Sequence, residues 1–373
     1  MLHASLKNDA QSTIIDRLRF PLILLVVYIH SFGLPYEGSE PILMHRGVFE
    51  IVRTVLSGMI AHSAVPAFFF ISGFLMFYHV EDYSLPVYRR KMQKRLYTLL
   101  LPYLLWNLIA LLAWYLRLRS LGISAHMIQL LYADKGWLSF LWIFGFVGDA
   151  NRDILGNVTH LTVPANLPLW YLRDLIVVSL LSPLVYVLIK RGRLVALLLF
   201  MMLFLSGIFQ NIPGLSSVSI AFYSFGAFFS ITKTDFSAFF HRCLGPALFI
   251  YVVLLVYMVV NFHEATTTLF FPLLRLVGVL VLFGFAEMAV RYTLPSLPSV
   301  FSESTFFVYA IHYVLFLSFV EKELGTAFSF AGEYGQTIQY LLAPLVKACI
   351  YVALYVVMKR ILPKPLSLFM GRR

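Results

Sequence analysis

The 373-residue chain is 60% hydrophobic and 13% charged, with a mean hydropathy of +0.83 and a formal net charge of +11. Soluble domains carry roughly 25% charged residues, so a single water-soluble core is excluded. Two cysteines, Cys243 and Cys349, exclude a disulfide framework and a thiolate metal site, and no metal is expected.

Apolar runs near the ~20 residues needed to cross a hydrocarbon core recur along the whole chain. They predict helices at about 18–35, 54–79, 96–116, 168–189, 194–210, 217–232, 245–262, 269–290, 301–320 and 338–358. Continuous runs of this kind select helices over the alternating strands of a barrel. A shorter run, WLSFLWIFGFVG at 137–148, reads as an interfacial or re-entrant piece. The first run is flanked by Asp16, Arg17 and Arg19 with no small-residue cleavage site after it, so it reads as a retained helix. The expected fold is therefore all-α: a polytopic integral membrane protein of about ten transmembrane helices, forming one domain over residues 1–373.

Charge sets the expected orientation. If the amino terminus is cytoplasmic, most of the 29 basic residues fall in cytoplasmic segments, the densest being Arg89, Arg90, Lys91, Lys94 and Arg95. The opposite loops carry Asp134, Asp149, Asp153, Glu264, Glu321 and Glu333 with few basic residues. An even number of spans with both termini cytoplasmic satisfies the positive-inside rule. The net positive charge is thus topological, and no nucleic-acid partner is expected. One connection is long, the outer loop 117–167, and its Trp137 and Trp142 suggest an ordered cap.

The first run, DRLRFPLILLVVYIH at 16–30, holds ionisable groups that a simple anchor does not need. Arg19 and His30 are eleven residues apart, almost three turns, so they share a helix face about 16 Å apart along the axis. Asp16, three residues before Arg19, lies on that face and can pair with it. In the bland reading Arg19 snorkels to the interface and His30 is a satisfied core histidine. In the sharper one, His30 is a neutral imidazole able to act as general base.

Here the chain resembles a family, the membrane-bound acyltransferase-3 proteins, which O-acylate sugars of the cell envelope. DRLRFPLILLVVYIH is similar to the family's first-helix pattern, and VPAFFFISGFLMF (65–77) to its second-helix signature. RRKMQKRLYTLLLPYLLW (89–106) looks like its basic loop running into a Pro-Tyr helix start. LPLWYLRDL (167–175) and SESTFFVYAIHYVLF (302–316) resemble two later elements. The five stretches occur in order over residues 16–316. One departure stands: the second of two basic positions expected before Pro-Tyr holds Thr98, with Arg95 in place and Lys91 and Lys94 one turn earlier.

The resemblance implies an inner-membrane O-acyltransferase moving an acetyl group from acetyl-CoA to a hydroxyl of an envelope polysaccharide or lipid-linked saccharide, with no permanently bound cofactor. His30 would be the base, with direct transfer and an acyl-histidine both open. Arg19, oriented by Asp16, would hold the donor or its developing charge. Arg95, Lys94, Lys91 and Arg90 would meet the donor's phosphates, although topology alone also accounts for such a loop. Trp170 and Tyr171, placed at the outer interface, would stack on a sugar or form an aromatic belt. His312 would orient the acyl group or a neighbouring side chain. Ser72-Gly73 reads as a close helix approach, and Glu287 as a partner of Arg291. The bilayer is the other partner, and a homo-oligomer is left open. The alternative is a proton-coupled secondary transporter or flippase for a polar solute, which predicts broken helices in matching halves of the chain.

Overall fold

The computed structural model describes residues 2–31, 47–132, 141–152, 158–208, 212–261 and 264–371. Helix dominates, as an apolar chain without water to satisfy its backbone requires. In chain order these are α1 (Leu2–Ser31), α2 (Val48–Phe77), α3 (Leu85–Ser120) and α4 (Ala125–Tyr132). A hairpin of β1 (Gly145–Arg152) and β2 (Val158–Val163) follows. Then come α5 (Leu167–Leu180), α6 (Ser182–Ser206), α7 (Ser217–Ile231), α8 (Phe236–Val260) and α9 (Glu264–Arg291). The chain closes with α10 (Ser299–Ile311), α11 (Ser318–Ala327), α12 (Gly332–Ile361) and α13 (Pro363–Phe369).

Among the described residues, five helical stretches are long and apolar enough to cross a membrane: Val48–Phe77, Leu85–Ser120, Phe236–Val260, Leu269–Arg291 and Ser329–Ile361. The pair α5 and α6, bent by 64°, makes a sixth if taken as one span. α1 carries Asp16, Arg17 and Arg19 in its apolar half, while α7 and α10 are short, with 15 and 13 residues. Helix is thus found in every predicted segment, but the segments are unequal. Within α6, Arg193 breaks the helix with φ 43° and ψ −122°, where the sequence puts the basic loop between two expected spans.

Three departures have clear physical causes. The predicted helix 301–320 stops at Ile311, because the His312 ring engages the carbonyls of Val308 and Tyr309, and Leu317 takes a left-handed conformation (φ 41°). The run 137–148 is not a re-entrant helix over its second half: Gly145–Gly148 belong to β1, pairing Gly145 with Val163 and Phe146 with Thr162. The partner segment VTHLTV is rich in β-branched residues that favour a strand. Residues 133–140, including Trp137, lie outside the described residues. The fold is therefore helical with one small hairpin in the long loop.

That hairpin is tied down by a charge. Arg173, 1% exposed, donates from Nη1 to Trp142 O (2.8 Å) and from Nη2 to Thr162 O (2.9 Å). Its Nε pairs with Asp174 Oδ1 at 3.4 Å, and Asp174 Oδ2 accepts from Ser216 N at 3.1 Å. Trp142 in turn donates to Pro213 O (3.1 Å). One ion pair thus links α5 to the hairpin on one side and to the start of α7 on the other.

The centre of the bundle is a crossing without side-chain clearance. A Cβ on Gly73 of α2 would sit 1.9 Å from Tyr223 O of α7, and one on Gly226 would sit 1.9 Å from Phe70 O. Small residues permit this approach, and beside it Phe70, fully buried, is edged by Phe225, Phe240 and Phe283 with centroids 4.7 to 5.4 Å away. Elsewhere, buried Glu287 bonds Arg291 at 2.8 Å, the expected i+4 partner, and His241 at 2.9 Å.

Two outcomes are expected. Gly73→Ala lowers the thermal midpoint of the detergent-purified protein by the equivalent of about 2 kcal/mol or more, whereas Gly245→Ala, which meets nothing within 4 Å, leaves it unchanged. Arg173→Ala strands the Asp174 carboxylate and costs about 3 kcal/mol or more, read in the same melting experiment; an unchanged midpoint would remove the hairpin latch.

Candidate active site

His30 sits at the last turn of α1, where four elements converge. Its ring centroid lies 5.4 Å from that of His312 and 5.8 Å from that of Tyr313, both just past the end of α10. His62 is also within electrostatic reach of His30. It is carried by α2 where that helix is least regular, a π turn at Thr54–Met59 followed by a 3-10 turn at Ile60–Ser63. Such interruptions of the helical ladder commonly mark functional positions. Behind His62 stands Arg275 of α9, its Nη2 3.4 Å from His62 Nδ1 and its guanidinium carbon 4.1 Å from the centre of the Phe271 ring.

The local sequence explains the convergence. Gly278, one turn after Arg275, lets α9 press on α2: a Cβ there would meet Ser63 Oγ at 2.1 Å. Tyr28 O, two residues before His30, accepts from Ser57 Oγ (2.8 Å), which fixes α1 against the π turn. His30 and His62 are densely surrounded yet keep accessible surface, as do Tyr171, Tyr313 and Arg275. Side chains of that kind remain open to a small molecule instead of being sealed in a core.

His312 is held in one tautomer. Its Nδ1 is 2.8 Å from Tyr309 O and 3.2 Å from Val308 O, so that nitrogen bears the proton. Nε2 is therefore a lone pair, buried and without a hydrogen-bond partner among the described residues. Buried Lys347, paired with Glu321 at 2.5 Å, acts electrostatically on this ring. Tyr309 is anchored through its hydroxyl to Pro168 O, and its ring is 6.4 Å from His312 and 6.0 Å from Tyr171.

Tyr171 departs from the expected outer interface. Its hydroxyl is 3.0 Å from Ser72 Oγ, and its ring packs against Phe69 at 4.6 Å, inside the bundle. Trp170 is half-buried against Phe69 at 6.5 Å. α5 begins at the 3-10 turn Leu167–Leu169, where Pro168 and Leu169 are buried, so the rings that follow are packed among neighbouring helices. Neither ring stands free on an outer rim to receive a sugar.

The basic residues divide. Arg95, half-buried, lies within electrostatic reach of Tyr83, Tyr171 and Tyr223. With Arg89 it borders a cavity of about 360 Å³ lined also by Tyr88, Leu99 and Ile176. Lys94 and Arg90 are exposed, and neither they nor Lys91 line that cavity. A second π turn, Leu96–Leu100, follows Arg95 directly. Arg19 pairs with Asp16 at 2.9 Å, as the spacing predicts, but both are partly exposed, and along α1 Arg19 stands about 16 Å and Asp16 about 21 Å from His30. No arginine side chain spans that gap, so Arg19 does not reach His30 and the expected role of Arg19 on a charge developing there does not fit this geometry.

The sequence reading did not single out Arg275, nor the buried pair Arg173 and Asp174. A lone arginine in the apolar run 269–290, and Arg-Asp in a helix of leucines, were the available signals. Asn107 and Asn166 were invisible: Asn107 Oδ1 accepts from Asn166 N (2.9 Å), and Asn166 Nδ2 donates to Ala310 O (2.9 Å). That bridge pins the end of α10, and with it His312, to α3. Among the described residues no cluster could hold a metal ion.

Comparison with known proteins bears on this arrangement. The family profile described as "Acyltransferase domain" (Acyl_transf_3) matches residues 13–358. The chain is 26% identical over 374 aligned positions to "Succinoglycan biosynthesis protein ExoH" of Rhizobium meliloti (strain 1021), covering 96% of this chain and 92% of that protein. No solved structure matches. A profile that spans His30, His62, His312, Arg275 and the Arg95 cavity takes in the whole convergent site: the chain belongs to the acyltransferase-3 family and is a membrane acyltransferase.

Proposed function

We propose that the protein is a ten-span O-acyltransferase of the cytoplasmic membrane, both termini inside, which transfers an acyl group from an acyl-CoA to a hydroxyl of an envelope polysaccharide or its lipid-linked precursor. The observation that carries this reading is the convergence of His30, His62 and His312 within an acyltransferase chain. A relative named for succinoglycan biosynthesis supports a polysaccharide acceptor. Acetyl-CoA is the smallest donor the site has to accommodate.

In this reading the acyl-CoA enters from the end of the bundle that carries Arg95 and Arg19, with Arg95 and Arg89 on its phosphates. Arg19, held by Asp16, serves the same polar end of the donor. Lys91, Lys94 and Arg90 supply a steering field rather than contacts. The thioester arm follows Tyr171 and Tyr309 to the histidines. There the acceptor oxygen attacks the carbonyl carbon while His30 takes the hydroxyl proton. The tetrahedral intermediate then collapses: the C–S bond breaks, and the leaving thiolate takes that proton from the His30 imidazolium. The unpartnered Nε2 of His312 faces this chemistry as an acceptor able to orient His30 or the hydroxyl.

Two measurements test this. With acetyl-CoA and crude envelope glycolipid, purified wild type is expected to release CoA thiol, and His30→Ala to lose at least a hundredfold of that rate while keeping its thermal midpoint. Release that persists in the variant would sink His30 as the base. Arg95→Ala is expected to raise the KM for the acyl-CoA about tenfold or more, a loss on the scale of about 1.4 kcal/mol; an unaltered KM returns Arg95 to a purely topological role.

A further inference from the structure

Arg275 has no part in the proposed reaction, and its cost demands an explanation. A guanidinium within the hydrocarbon region is expensive unless an anion or a polar network receives it. Among the described residues its buried Nε has no hydrogen-bond partner, its Nη2 reaches only the His62 ring, and no carboxylate pairs with it. Stacking on Phe271 at 4.1 Å fixes the plane of the guanidinium. A planar fork so fixed is suited to a bidentate carboxylate.

Its height in the bundle is set by two helices. Arg17 Nη1 donates to Ala289 O at 3.1 Å, which aligns antiparallel α1 and α9. His30 lies thirteen residues beyond Arg17 and Arg275 fourteen beyond Ala289, so both stand about 20 Å from that contact. Along α2, Ser72 meets Tyr171, and His62 lies ten residues further from the Arg95 end, about 15 Å. A donor entering from that end therefore meets Tyr171 first and Arg275 last, at the level of the proposed base.

We propose that Arg275, backed by His62, is an anion subsite that receives the distal carboxylate of the transferred acyl group, making the enzyme selective for a dicarboxylic acyl-CoA. This rests on the acyltransferase reading above and deepens it. An acetyl group ends at His30. A four-carbon dicarboxylic acyl group continues past the reacting carbonyl by three C–C bonds of about 1.5 Å each, far enough to bring its carboxylate onto a neighbouring guanidinium.

The test compares succinyl-CoA with butyryl-CoA, equal in length but uncharged at the far end, and with acetyl-CoA. CoA thiol release by the full-length protein is followed with a glycolipid fraction freed of acidic glycans, and donor-induced thermal stabilisation is measured alongside. The wild type is expected to favour succinyl-CoA over butyryl-CoA at least tenfold in kcat/KM and to be stabilised more by it. Arg275→Gln is expected to lower that ratio at least tenfold, and Arg275→Lys, which keeps the charge and loses the fork, to fall between. Equal use of succinyl- and butyryl-CoA by the wild type overturns the subsite while leaving the acyltransferase reading intact, and needs no variant to fold. A loss in Arg275→Gln that is equal for all three donors also overturns it, assigning Arg275 to the acceptor or to the oxyanion. Failure of the wild type to use or bind any of the three donors overturns the acyltransferase reading, and the subsite with it.

Discussion

A charged or hydrogen-bonding group in hydrocarbon has no water to fall back on, so the protein must supply its partner or leave it to a ligand. Most of the architecture follows from how this chain meets that constraint. Arg173 spends its guanidinium on two backbone carbonyls and Asp174, and Asp174 on Ser216 N, so one buried pair serves as a structural latch. Lys347 and Glu321 close on each other, as do Glu287 and Arg291. Other buried polar atoms without a partner among the described residues are spread over several helices, and two of them, His312 Nε2 and Arg275 Nε, belong to the histidine cluster around His30.

The geometry of that cluster depends on helix irregularity as much as on helices. α2 passes through a π turn and a 3-10 turn just where it presents His62, α3 through a π turn after Arg95, and α10 stops at His312. Each deviation turns a side chain off the lattice that a regular helix would impose. Opposing this looseness is the rigid crossing of α2 and α7 at Gly73 and Gly226, where backbone meets backbone. Broken helices also belonged to the transporter alternative, but the family match over residues 13–358 assigns the chain to the acyltransferases, and two of the irregularities, in α2 and at the end of α10, lie beside His62 and His312.

In the proposed reaction the two ends of the donor are read by different chemistry. At the phosphate end Arg95 and Arg89 stand beside a mostly apolar cavity, with exposed Lys94 and Arg90 further out. At the acyl end the recognition is internal, and a fixed guanidinium in low dielectric discriminates strongly between a carboxylate and a methyl group. Selectivity for the acyl group would then reside in α2 and α9, away from the helix that carries the base.

The sequence by itself determined the helical membrane class, the run of apolar segments, the Asp16–Arg19 pair and the place of His30, because hydropathy and the 3.6-residue period are local properties. Ser72-Gly73 as a close approach and Glu287 as the partner of Arg291 were legible for the same reason. What only the tertiary structure decided is which polar groups meet. His62 and Arg275 are 213 residues apart in the chain, and nothing local announces that Gly278 and Ser63 bring their helices together. That Tyr171 bonds Ser72 and packs on Phe69 is a fact of packing rather than of composition. Where α10 ends was equally hidden, since the imidazole of His312 had to be seen competing for its own helix's carbonyls.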